Sequence, residues 1–170
     1  MKDRVLYIEI AKRLGEAENI LDIGCGEGKL CNYLAKHTGR KITGLDISGM
    51  GFKKAKKMAH KIKVPSLVEC VEGDVGNMIC FKDNIFDAVT MAYTLHHVND
   101  EKRALSEIKR ILKPGGRLII ADYIIEEEGK GSECHKFNFK TMRKLFPKEA
   151  LSLLESKLLK SDLALLVAIK

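Results

Sequence analysis

Apolar positions follow two rhythms along this chain: short solid runs bounded by turn residues, and longer stretches with apolar residues three or four apart. Val5, Ile8 and Leu14 mark a short leading helix that stops at Gly15. The run Ile20 to Ile23 reads as strand, Gly28 to His37 as helix, and Lys41 to Leu45 as a second strand. From Phe52 to Val64 the apolar residues Phe52, Ala55, Ala59 and Ile62 recur at helical spacing until Pro65 breaks the pattern. Ser66 to Val71, Ile85 to Met91 and Arg117 to Ala121 read as three more strands, with a helix at Asp100 to Leu112 carrying Ala104, Leu105, Ile108 and Ile111 on one face.

The tail is less regular. Asn138 is expected to cap a helix bearing Phe139, Met142, Leu145 and Phe146 that Pro147 ends. Lys148 to Leu159 fits either helix or strand, because Leu151, Leu154 and Leu158 satisfy helical spacing in a segment short enough for a strand. Leu163 to Ile169 is a buried final strand. Strands alternating with helices predict an α/β fold, a parallel sheet with helices on both faces. At 170 residues this is one domain, 1–170, with a single core.

Charge changes the picture only locally. The formal net charge is +7, and much of the excess lies in Lys53, Lys54, Lys56, Lys57, Lys61 and Lys63. Apolar residues at helical spacing between them make this an amphipathic helix with a solvated lysine face, preferred over a nucleic-acid patch. No apolar run has the length of a membrane span, and the start Met1-Lys2-Asp3-Arg4 lacks the apolar core of a signal peptide, so no membrane partner and a cytoplasmic location are expected. The five cysteines form no Cys-x-x-Cys pair, which fits reduced thiols and no metal site.

The chemistry begins at the first strand. Leu21-Asp22-Ile23-Gly24-Cys25-Gly26-Glu27-Gly28 is an apolar run ending in three alternate glycines, as a strand needs when it turns sharply into a helix and leaves backbone N–H groups open to a ligand. A dinucleotide site wants Gly-x-Gly-x-x-Gly, but Lys29 stands where its third glycine would be. Asp22, just before the first glycine, would repel a pyrophosphate and attract an ammonium or sulfonium group.

This motif, with Asp46 about twenty residues on, Phe86-Asp87-Ala88-Val89 and Leu112-Lys113-Pro114-Gly115-Gly116-Arg117-Leu118, resembles the class I S-adenosylmethionine-dependent methyltransferases. The likeness is to the small-molecule, ubiquinone/menaquinone-biosynthesis-like type and spans Asn19 to Tyr123. It implies a doubly wound, Rossmann-like sheet of seven strands, mostly parallel, with an antiparallel last strand. It also implies S-adenosyl-L-methionine as cofactor and S-adenosyl-L-homocysteine as product. Cofactor contacts fall on Asp22, Gly24, Cys25, Gly26 and Gly28, with the Cys25 side chain packing the loop. Asp46 is matched to the ribose hydroxyls, Ile47 and Met50 to the adenine face, Asp74 and Val75 to the adenine edge, and Ala92 to the neighbourhood of the methyl donor. Each acid also has a bland reading, Asp46 as a helix cap and Asp74 as a turn former. Ser48-Gly49-Met50-Gly51 departs from the proline-containing helix start of relatives.

Methyl transfer needs alignment, exclusion of water and, for some acceptors, a base. Tyr93, His96 and His97 follow the fourth strand and are the catalytic candidates, the histidines being expected on the acceptor side of the sulfur. The favoured reading is in-line methyl transfer to a small-molecule substrate. Alternatives are an RNA or protein methyltransferase that uses the lysine helix, and an inactive cofactor-binding subunit; a homo-oligomer is possible with any of them.

Overall fold

The computed structural model describes residues 2–123, 139–160 and 162–170. The expected Asn138 cap lies outside the described residues. Helix α1 (Lys2–Ala11) leads into strand β1 (Asn19–Ile23), followed by α2 (Lys29–Thr38), β2 (Lys41–Asp46), α3 (Phe52–Lys61) and β3 (Val68–Glu72). Then come β4 (Phe86–Ala92), α4 (Glu101–Ile111), β5 (Leu112–Tyr123), α5 (Phe139–Lys148), β6 (Ser152–Lys160) and β7 (Leu163–Ile169).

The strands form one seven-stranded sheet in the order β3-β2-β1-β4-β5-β7-β6. Strands β1 to β5 are mutually parallel, and β7 runs antiparallel to both β5 and β6. The predicted fold class is therefore the observed one. Chain order reverses between β1 and β4, so their carboxyl ends form the crevice where such sheets hold ligands.

Alternation along the strands divides the core. Leu21 and Ile23 face α4 and α5, joining Leu105, Ile108, Phe146 and Leu166, while Ile20 faces α1 and α2 with Leu6, Ile10 and Leu34. Asp22 shares the second face but is a charged group only 2% exposed. Its burial marks it for function, since an apolar residue would fill that place at no desolvation cost.

Several boundaries differ from the sequence reading, three of them for a clear physical reason. Strand β3 begins at Val68 rather than Ser66, because Pro65–Leu67 forms a 3₁₀ turn. Strand β5 begins at Leu112, not Arg117, because the Pro-Gly-Gly stretch pairs outward: Gly115 N–H donates to the Lys170 carbonyl and Lys170 N–H to the Gly116 carbonyl, each at 3.0 Å. A register shift between Phe86 and Ala88 absorbs it, and Lys113 Nζ meets Asp87 Oδ1 at 2.6 Å. Helix α5 runs one residue past Pro147, which sits in its last turn, where one missing N–H costs a single hydrogen bond. The ambiguous segment resolves as strand β6, an edge strand whose Glu155, Lys157 and Lys160 discourage pairing with another chain. Arg13 Nη2 reaches Glu155 Oε1 at 2.6 Å and ties the end of α1 to that edge. No helix among the described residues is long and apolar enough to cross a membrane.

Candidate functional site

The glycine loop is shaped by close approach. Gly24, Gly26 and Gly28 all have positive φ, at 73°, 50° and 69°, which a side chain would strain. A Cβ on Gly24 would overlap the Thr94 side chain, whereas Gly26 has open space beside it. Opposite, a Cβ on Gly51 would overlap the Gly26 carbonyl oxygen, so the unusual Ser-Gly-Met-Gly turn lets the start of α3 press against the loop backbone. Asn32, buried in α2, closes the arrangement by donating to the Gly28 and Ala55 carbonyls at 2.8 and 3.0 Å.

The loop's donors are used differently from the expectation that they stay open. Gly24 and Cys25 N–H both donate to the Leu45 carbonyl, at 2.7 and 3.1 Å, and Gly28 N–H to the Cys25 carbonyl at 2.8 Å. Gly26 N–H donates to Asp46 Oδ2 at 2.8 Å. These bonds lock the loop onto β2, the physical reason being that a sharp turn must satisfy its own backbone. Donors for an anion remain at the first turn of α2, whose cap Gly28 contributes no side-chain acceptor.

Two cavities meet at Gly24. The larger, about 450 Å³, is lined by Asp46, Ile47, Asp74, Val75, His97 and Arg103, with Ile23, Leu45 and Val98 giving it apolar walls. The smaller, about 180 Å³, is lined by Tyr7, Asp22, Cys25, Glu27, Ala92 and Tyr93. A third cavity, about 490 Å³, opens at the amino ends of the strands near Asn19 and Lys41, away from the glycine loop. The first two sit at the strand-order reversal and bring together ten of the fourteen sequence-predicted positions, while Gly26, Gly28, Met50 and His96 line neither.

Each acid has a definite setting. Asp46, half-buried, accepts from Gly26 N–H and also from Ser48 N–H at 3.1 Å, so it is not the cap of α3. Asp74 accepts from Gly76 N–H at 2.8 Å, so the turn-forming reading holds, and the residue also lines the larger cavity. Asp22 accepts from Thr90 Oγ1 at 2.8 Å and from the Cys31 thiol at 3.2 Å. Burial raises its pKa to about 6, against those two hydrogen bonds, with the Asp46 charge adding a smaller push. A carboxylate held at that cost favours a cationic neighbour. The Cys25 thiol lies among Cys31 and Cys70 and is held above the ordinary thiol range, first by its hydrogen bond with Cys31. It packs the loop. Met50 is 90% exposed and lines neither cavity, so the structure does not bring it to the adenine-side positions.

After β4 the chain strains to present its side chains. Tyr93 has φ of 57°, uncommon for a residue with a Cβ. Its ring stacks on Tyr123 with centroids 4.9 Å apart. Burial, and after it the neighbouring Tyr123, pushes the Tyr93 phenol up to about 12.

The two histidine rings pack together, with centroids 4.0 Å apart, but have different further partners. Leu95–His97 is a 3₁₀ turn, which rotates successive side chains by about 120°. His97 lines the larger cavity with Asp46 and Asp74, the two acids expected at the nucleoside. His96 turns to β5, where its Nδ1 lies 2.7 Å from Asp122 Oδ1 and its backbone N–H donates to Asp122 Oδ2 at 3.1 Å. Asp122 is fully buried and also accepts from Tyr123 N–H at 2.7 Å. Neither Asp122 nor Arg103 was singled out from sequence. The signal for Asp122 was present, a lone acid closing the apolar run Leu118 to Ala121.

The arrangement fits an elongated ligand that crosses Gly24: a polar, planar part between the apolar walls beside Asp46 and Asp74, and a cationic end near Asp22. Gly24 is the narrow point, where any side chain would meet Thr94. No cluster of metal-binding side chains exists among the described residues.

Comparison with known proteins identifies the family and the fold. The family model described as a methyltransferase domain matches residues 21–120. A 2-phytyl-1,4-naphtoquinone methyltransferase of Nostoc punctiforme is 40% identical over 105 residues, 61% of this chain and 45% of that protein. The ubiquinone/menaquinone biosynthesis C-methyltransferase UbiE of Escherichia coli is 31% identical over 126 residues, 71% of this chain and 50% of that one. The chain thus spans about half the length of the curated relatives it matches. Among solved structures, a SAM dependent methyltransferase from Aquifex aeolicus superposes with a TM-score of 0.81 at 23% identity, over 96% of this chain and 88% of that one, which shows the shared fold.

Proposed function

The chain belongs to the methyltransferase-domain family, and from that membership we propose that it transfers a methyl group from S-adenosyl-L-methionine to a small-molecule acceptor. The observation that carries the proposal is the pair of cavities joined at Gly24, with Asp46 and Asp74 beside one and buried Asp22 beside the other. A nucleoside with a cationic amino-acid tail matches that division of charge. When bound, the cofactor supplies an electrophilic methyl group.

The residues of the chain do the rest. Asp46 accepts hydrogen bonds from the ribose hydroxyls, and Asp74 and Val75 serve the adenine edge while Ile47 and Val98 cover its faces. Asp22 favours the methionyl ammonium, and the first turn of α2 favours its carboxylate. On the acceptor side Tyr7 and Tyr93 wall off water. Asp122 holds His96 through Nδ1, which leaves Nε2 to take a proton from the acceptor. The aromatic walls suit an apolar ring or chain, in keeping with the quinone substrates named for the relatives. Free thiols at Cys25, Cys31, Cys70 and Cys80 support a reducing, cytoplasmic setting.

Calorimetry with S-adenosyl-L-homocysteine tests the reading, with micromolar binding, about −8 kcal/mol, expected without added metal. Transfer of a labelled methyl group to solvent-extractable small molecules tests the acceptor class. NADH binding without S-adenosyl-L-homocysteine binding would overturn the assignment.

A further inference from the structure

Helices α2 and α3 lie side by side and flank a groove of about 520 Å³. Its lining includes Tyr33, Met58 and Ile62, and its walls are the lysines Lys29, Lys36, Lys54, Lys57 and Lys61. Met58 is 44% exposed there, although it stands on a helix with Ala55 and Ala59 available to the core. Neither helix carries a single carboxylate: together they hold seven lysines, Lys29, Lys36, Lys53, Lys54, Lys56, Lys57 and Lys61. Among the described residues only Lys54 of these is in an ion pair, with Glu27 of the glycine loop.

We propose that this groove is a docking surface for an anionic phospholipid bilayer. Five lysines against the one carboxylate Glu27 make the lining predominantly positive and mostly unpaired, which an array of lipid phosphates complements. The floor between the charges is apolar, and lysine stems can lie along it while their ammonium groups reach the headgroups. A polyanion such as RNA would use the lysines but gain nothing from Met58 and Ile62. That no helix among the described residues is long and apolar enough to span a membrane is no obstacle, since docking of this kind lies on the membrane.

The groove also adjoins the site. Glu27 and Lys29 line both the groove and the smaller cavity, and the Tyr33 ring in the groove lies 5.4 Å from the ring of Tyr7 in that cavity. A docked surface would thus stand at the mouth on the acceptor side. The docking itself does not depend on the methyltransferase reading, and it is measured without turnover.

The test is flotation with phosphatidylcholine vesicles, with and without about 30% phosphatidylglycerol, at low and high salt. Partitioning should be at least tenfold stronger (about 1.4 kcal/mol) on the anionic vesicles and should fall with salt. Each lysine near such a surface is worth about fivefold, so Lys36→Gln, Lys57→Gln and Lys61→Gln together should cost about a hundredfold. Met58→Asp should weaken it several-fold at constant lysine content, while S-adenosyl-L-homocysteine affinity stays unchanged in both variants. Equal binding to neutral vesicles would overturn the proposal. So would an unaffected Met58→Asp variant, or RNA binding tighter than vesicle binding, since either makes the face a simple polyanion surface. Should the triple variant fail to fold, the salt series and Met58→Asp decide by themselves.

Discussion

Asp122 grips His96 twice, through the ring Nδ1 at 2.7 Å and through the backbone N–H at 3.1 Å. A carboxylate that also accepts from Tyr123 N–H has no rotational freedom left. The imidazole is thereby fixed in orientation, and an ionised carboxylate selects the tautomer with its proton on Nδ1.

Replacing Asp122 by Asn should therefore cut the rate of methyl transfer by about 10²–10³ for an acceptor that must lose a proton, because the amide can present an N–H to Nδ1 and reverse the tautomer. His96→Asn should lose about as much. Both variants should keep S-adenosyl-L-homocysteine affinity within a few-fold. Single-turnover rates alongside calorimetry make the separation; a loss confined to cofactor affinity would remove the dyad from the chemistry.

His97 should behave differently. It shares the larger cavity with Asp46 and Asp74, so His97→Ala should weaken cofactor binding more than His96→Ala does, with little change in the rate from the bound complex. Paired titrations of the two variants decide which histidine faces the nucleoside.

Asp46→Ala should weaken S-adenosyl-L-homocysteine binding by about ten- to a hundredfold, the worth of charge-assisted hydrogen bonds of about 1.5–3 kcal/mol. The same change frees Gly26 N–H, bonded to Asp46 at 2.8 Å. Some loss of thermal stability is thus expected too. Unchanged affinity in a folded variant would leave Asp46 as a loop tie only.

Asp22 sets a pH dependence. Its carboxyl titrates at about 6 in the fold against an ordinary 3.8, so the folded state holds the proton more tightly than the unfolded chain. Stability therefore falls as pH rises from about 4 to about 6, and the strain persists above that window. Asp22→Asn should raise the melting temperature at pH 7.5. Affinity should run the other way: S-adenosyl-L-methionine should bind more weakly as the pH drops below 6, and the Asn variant should lose that dependence. A flat wild-type affinity from pH 5 to 8 would count against Asp22 as the partner of a cationic group.

Much of this was legible because the deciding signals are local. A strand that turns into a helix through alternate glycines writes itself into a short sequence, and Asp46 follows at the end of the next strand. The seven-stranded, mostly parallel sheet and the antiparallel β7 came from the pattern together with the family resemblance, whereas the strand order and the reversal beside β1 came from the structure. The misses share a cause, which is that partners distant in sequence decided them. Strand β5 starts early because Lys170 pairs with Gly115 and Gly116. Asp122 became visible as a partner only when β5 lay beside the turn after β4. The different partners of His96 and His97, whose rings lie 4.0 Å apart, depend on a 3₁₀ turn that no periodicity announces. The loop N–H groups expected to be open were taken by Leu45 and Asp46, across the β1–β2 pairing.

The tightest test of the loop is steric and uses glycines that differ in their surroundings. Gly51 has an ordinary φ of −79°, so alanine there carries no backbone strain. Its new methyl would nevertheless overlap the Gly26 carbonyl, and backbone cannot swing aside as a side chain can. Gly51→Ala should thus displace α3 from the glycine loop, costing about 1–3 kcal/mol of stability and weakening cofactor binding at least tenfold. Gly39 is the control. It ends α2 at φ of 71° with nothing near its Cβ position, so Gly39→Ala should cost only about 1 kcal/mol from the left-handed backbone and leave affinity alone. Melting curves and calorimetry on the two variants separate the effects. Should both lose stability equally while both keep full affinity, the contact between Gly51 and Gly26 does not shape the site.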